Sequence, residues 1–194
     1  MIPVALQPEP DDFDPKVRQP GLRWLAENPG VASSTFPPHW RKCLADLHAA
    51  YEGICAYACI YIEPVTGAQS VDHYIAKSLQ PELTYEWSNY RLACALMNAR
   101  KREFEDVLDP FTLSPGTFRL ALSTCEIKPI TPEDSPEWHA AEATIQRLGL
   151  NDQGCCDLRK YYLRQYQDGR ISAKFLNARA PFVYQEVVRQ GRLR

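Results

Sequence analysis

Five side chains between residues 72 and 101 can together activate a water molecule and hold a hard cation: Asp72, His73, Asn89, Asn98 and Lys101. His73 follows Asp72 directly, Asn89 stands sixteen residues after His73, Asn98 nine further on, and Lys101 three beyond that. A neutral imidazole, with an ordinary pKa of about 6.5, is suited to take a proton from water at neutral pH. Carboxylate and amide oxygens are the ligands Mg²⁺ prefers, and such an ion keeps places for water and a phosphate. Water activation and a divalent cation are the two requirements of phosphodiester hydrolysis. Lys101, at a helical spacing of three from Asn98, shares its face and can meet a phosphate, and Arg100 and Arg102 make the same helix end basic.

Those residues need elements that aim them. Residues 55–62 (CAYACIYI) are apolar and aromatic, and 69–75 (QSVDHYI) form a second strand-like run, with the turn Glu63-Pro-Val-Thr-Gly67 between them, so a hairpin is predicted. Successive strand side chains point to opposite faces, so Asp72 and His73 can serve one site only if the strand ends or bends there. A polar loop over 76–87 leads to a predicted helix over 89–103, where Leu92, Ala95 and Leu96 sit at helical spacing. Ahead of the hairpin, 39–53 reads as a helix with Trp40, Leu44, Leu47 and Tyr51 on one stripe and Gly53 as its stop. Downstream, 118–122 reads as a strand, and 133–148, 155–167 and 181–190 as helices. The first 38 residues hold many prolines, which disfavour regular structure, and are expected to form an extended arm with a short amphipathic piece at Leu22-Arg23-Trp24-Leu25.

A hairpin ending in V-D-H-Y-I-A-K-S, then W-S-N-Y-R-L-A-C, then L-M-N-A-R-K, resembles the HNH endonuclease family. That family pairs an acidic residue and a histidine at a strand end with a middle asparagine, a final histidine or asparagine on a helix, and a nearby lysine. The resemblance implies that His73 is the general base, and that Asp72 and Asn98 hold the metal. It also implies that Asn89 ties down the loop and the His73 backbone, and that Lys101 and Arg100 meet substrate phosphate. The cofactor expected is one divalent ion, Mg²⁺ or in its place Mn²⁺. Leu108-Asp109-Pro110-Phe111 and the stretch from Ala143 to Asn151 are similar to a bacterial subgroup of the family often linked to anti-phage defence, sometimes beside an ATPase partner.

Many HNH proteins clamp the hairpin to the helix with a structural zinc on two Cys-x-x-Cys pairs. Here Cys55 and Cys59 are spaced by three residues, and Cys94 stands alone with Met97 where a second thiolate would fall, so structural zinc is not expected. Packing by Tyr57, Tyr61, Tyr85, Trp87 and Tyr90 would hold the core instead. His39, His48 and His139 lie outside the motif and are expected on helices or the surface.

Composition sets the outer limits. With 45% hydrophobic and 24% charged residues the chain can bury a core, and its formal net charge of −2 argues against coating nucleic acid non-specifically. Seven cysteines, an odd number without regular spacing, read as reduced thiols, and no apolar run approaches a membrane span. A cytoplasmic protein without membrane contact is expected. The expected architecture is α+β: an N-terminal arm (1–38), a ββα-metal core with its preceding helix (39–110) and a mainly helical C-terminal extension (111–194), all in one compact unit. The function expected is endonuclease action on DNA, with RNA the open alternative as substrate. One such site cuts one strand at a time, so nicking or cutting through depends on whether the chain forms a homo-oligomer. The alternative is a catalytically silent nucleic-acid-binding or structural subunit of an ATPase-containing complex.

Overall fold

In the computed structural model, which describes residues Met1–Leu193, the chain is a mixed α and β protein compatible with the α+β class. Arg194, the last residue of the expected C-terminal extension, lies outside the described residues. Two compact units divide the chain: one is Ala5–Gly53 with Ile62–Glu105, the other Met1–Val4 with Ile54–Tyr61 and Asp106–Arg194. The candidate site residues all belong to the first unit. Among the described residues no helix is long and apolar enough to cross a membrane.

In the first unit the proline-rich beginning is more helical than its composition suggests. A π-helical turn over Asp14–Arg18 runs into helix α1, Gln19–Glu27. Pro15 falls in the first turn of the π-helical segment, where a missing amide donor costs little, and Pro20 stands where that segment passes into α1, beside the π-shifted bond from the Gln19 amide to the Asp14 carbonyl. Arg18 then donates through Nε to both carboxylate oxygens of Glu86, at 3.1 and 3.0 Å, fastening the helical segment to the loop before the site. The segment beginning at His39 starts as a 3₁₀ helix, His39–Cys43, and continues as α2, Leu44–Ala50, with Leu47 buried in the core.

The strand carrying Asp72 and His73 is β1, Gln69–His73. Its partner is β2, Tyr90–Cys94, in antiparallel register with Val71 opposite Leu92 and His73 opposite Tyr90. This corrects the expected hairpin. Residues 55–62 form no regular strand: Ile54 and Tyr61 make one isolated bridge, and between them Cys59 donates to the carbonyl of Cys55 and takes a positive φ of 54°. The apolar character there comes from burial of a tight loop, since Cys55, Ala56, Tyr57 and Cys59 are all in the core. The helix expected over 89–103 is likewise shorter. Asn89 ends a 3₁₀ turn, Trp87–Asn89, then comes β2, and only Ala95–Lys101 is helical, as α3. Tyr90 to Ala93 are buried without alternation, as in a strand covered on both faces, and such a run mimics helical spacing.

The second unit holds the hairpin β3, Phe118–Ala121, with β4, Glu126–Pro129, and helices α4 (Pro136–Leu148), α5 (Gln153–Gln167), α6 (Ala173–Arg179) and α7 (Pro181–Arg189). Helix α4 opens on Ser135, whose Oγ accepts from the Trp138 amide at 3.1 Å, and closes on Gly149 at a φ of 57°, a left-handed stop that glycine adopts freely. Leu120, Ile127, Leu148, Val183 and Val187 make the core. Arg159 is buried within it and donates to the carbonyls of Cys125 (2.8 Å) and Leu150 (2.6 Å). All seven cysteines are free thiols.

Candidate active site

The β1, β2 and α3 segments are held together by the residues that border the site. The amide of Ala95 donates to the carbonyl of Ala68 at 2.9 Å, which turns the chain from β2 into α3 beside the start of β1. Asn98 then reaches back from the helix: its Nδ2 donates to Ser70 Oγ (3.1 Å) and to the carbonyl of Val71 (3.2 Å). With the nitrogen taken up by β1, Oδ1 is the end of the amide left to accept or coordinate. Helix α3 stops where Arg102 adopts a φ of 49°, a backbone state costly for a residue with a Cβ.

Asp72, His73 and Asn98 border one cavity of about 240 Å³. Trp40, Lys77, Arg102 and Glu103 complete much of its wall. The strand ends at His73, as two adjacent side chains serving one cavity require, and the next amide, Tyr74, donates to the carbonyl of Asn89 at 2.9 Å.

His73 is 9% exposed, with its ring edge-on to Trp40 (centroids 4.8 Å apart) and Tyr90 (5.2 Å). Its Nε2 lies 3.0 Å from the carbonyl oxygen of Thr84. A carbonyl can only accept, so Nε2 carries the proton and Nδ1 of the neutral ring is the bare nitrogen. The same carbonyl accepts from the Tyr90 hydroxyl at 2.8 Å, and burial pushes the Tyr90 phenol well above its ordinary range, so that donor keeps its proton. Burial, followed by the positive charge of Lys77, lowers the His73 pKa to about 3, which leaves the ring neutral throughout the neutral range.

Asn89 is buried and saturates the loop it closes. Its Oδ1 accepts from the amide of Ile75 at 2.8 Å, while Nδ2 donates to the carbonyls of Ile75 (3.0 Å) and Leu83 (3.1 Å). Asn89→Ala removes a buried side chain that satisfies the part-buried Ile75 amide and two carbonyls, and a lost buried partner costs about 1–3 kcal/mol. The expected result is a lower thermal midpoint, with faster amide exchange confined to residues 74–88. Exchange unchanged in that loop would contradict the role.

Asp72 and Lys101 form a buried pair, 2% and 0% exposed, with Nζ 3.6 Å from Oδ1. The ammonium also donates to the carbonyls of Tyr74 (2.8 Å) and His73 (3.3 Å). The phosphate contact expected of Lys101 needs an accessible ammonium, and this one is sealed beneath the strand end, so Lys101 fixes Asp72 and the turn after His73. Arg100 does not border the cavity. The cations that do are Lys77, to which the sequence gave no role, and Arg102, part of the basic helix end. Trp40 comes from the 3₁₀ segment of 39–43, where its apolar spacing gave only a core signal.

Among the described residues no cluster of three or more His, Cys, Asp or Glu is placed to hold a metal ion by itself. The donor set at the cavity is of another kind: a carboxylate, Asp72, and an amide oxygen, Asn98 Oδ1, whose nitrogen is already committed to β1. Two hard oxygens fit an Mg²⁺-like ion that retains most of its shell for water and phosphate. No protein-family model matches this chain, and a search of the curated proteins finds no match.

Proposed function

We propose that this chain is a divalent-metal-dependent endonuclease that hydrolyses phosphodiester bonds in DNA. The observation that carries the reading is the bond from His73 Nε2–H to the Thr84 carbonyl, which leaves an unprotonated Nδ1 on a ring that borders the same cavity as Asp72 and Asn98. In this reading His73 takes the proton of the attacking water, held in the correct tautomer by Thr84 and against rotation by Trp40 and Tyr90. Asp72 and Asn98 hold the ion, which when bound offsets the charge developing on the scissile phosphate and the departing oxygen. Lys101 keeps Asp72 aimed, and Asn89 keeps the loop that supplies the Thr84 carbonyl in place.

Incubation of the pure protein with supercoiled DNA, single-stranded DNA and RNA, each with Mg²⁺, Mn²⁺ or chelator, tests the reading. Nicking or cutting of DNA with either metal and none with chelator is the expected result. Cleavage of RNA alone would keep the mechanism and replace the substrate. Survival of every substrate under both metals, or cleavage undiminished by chelator, overturns the proposal.

A further inference from the structure

The buried Asp72–Lys101 pair balances its own charge, yet two further cations border the cavity with no ion pair to a carboxylate among the described residues. Lys77 Nζ lies 4.4 Å over the centre of the Trp40 ring, a contact that holds an ammonium in place without neutralising it. Arg102 is exposed, and its side-chain hydrogen bond is a long one of 3.4 Å to the carbonyl of Ala99, again to a neutral group. Glu103 borders the cavity too and offsets part of this charge. The excess stays positive on the wall formed by Lys77 and Arg102, and the volume, about 240 Å³, is below the range of pockets that enclose drug-sized ligands. It suits a phosphate with its waters, and a backbone that is gripped in this way is read without regard to the bases.

We propose that Lys77 and Arg102 form the seat for the substrate phosphate, with Trp40 as the platform that positions Lys77. This rests on the endonuclease reading and names the residues that bind its substrate. The two cations sit on different elements, one in the segment after β1 and one at the end of α3, so they can grip a phosphate from two sides. A lysine on an aromatic face costs less to immobilise on binding than one free in solvent, because part of its rotamer freedom is already spent.

The test is binding of a fluorescent duplex oligonucleotide in chelator, which prevents turnover, across a salt series. Each phosphate contact contributes about 0.9 to the slope of log K against log salt for duplex DNA. Lys77→Ala and Arg102→Ala should each make the slope shallower by about 0.9 and the double variant by about 1.8, with Lys77→Arg close to wild type. The losses should be the same for unrelated base sequences. If wild type binds and both slope and affinity are unchanged in the double variant, the phosphate seat is wrong while the endonuclease reading stands. If wild type neither binds nor cleaves any nucleic acid, the endonuclease reading fails and the seat fails with it.

Discussion

Lys101→Met is expected to lower folding stability by about 3–5 kcal/mol, the usual consequence of removing one partner from a buried ion pair. The ammonium is fully buried beneath the strand end, so bulk water does not take its place 3.6 Å from the Asp72 carboxylate. Two carbonyls, those of Tyr74 and His73, lose their donor in the same step. For a chain of 194 residues each kcal/mol corresponds to roughly 2–4 °C in thermal midpoint, so the shift is easily measured by calorimetry. The double variant Asp72→Asn with Lys101→Met should regain part of that stability, because both charges of the pair are removed together, and on the endonuclease reading it stays inactive through loss of the carboxylate proposed to hold the metal. A midpoint within about 1 °C of wild type for Lys101→Met would mean that the lysine is solvated, and would return it to the surface role expected from the sequence.

His73→Ala is expected to slow phosphodiester cleavage by about 10²- to 10⁴-fold, the range for losing a positioned general base. The same histidine has a second, separable signature in metal-free protein. Its folded-state pKa of about 3 lies below the ordinary value, so between about pH 6.5 and pH 3 the unfolded chain binds a proton that the native chain does not. Stability from this group is therefore complete above about pH 6.5 and falls by about 1.4 kcal/mol per unit as the pH drops through that window. Denaturant titrations in chelator should show the slope in wild type and lack it in His73→Asn. Equal slopes would mean that His73 takes up its proton as readily in the native protein as in the unfolded chain, and so is not sealed in its buried environment.

The features of this site legible in the sequence are those set by local chemistry. Asp72-His73 closing a strand, Asn98 on a helix and Asn89 between them could be placed because a strand end and a helical run leave marks in residue order. The partner of β1 could not. Residues 55–62 and 90–94 are both short apolar runs, and which of them pairs with β1 is decided by the packing of Tyr90, Leu92 and Ala93, not by periodicity. The burial of Lys101 was hidden for a similar reason: lysine is seldom fully buried, and the neighbouring Asp72, two carbonyls and the Tyr74 ring make it tolerable here. Trp40 reaches His73 from more than thirty residues upstream, a contact that no spacing rule announces. The prolines at 15 and 20 misled in the opposite direction, since proline is tolerated in the first turn of a helical segment and beside a π turn.

The most direct measurement is the initial rate of supercoiled plasmid relaxation by wild type and His73→Ala in Mg²⁺, side by side, with a chelator control on each. The account predicts metal-dependent nicking by wild type that chelator abolishes, and at least about a hundredfold loss in the variant. Equal rates from the two proteins would contradict the assignment of His73, and with it the catalytic site built around Asp72 and Asn98.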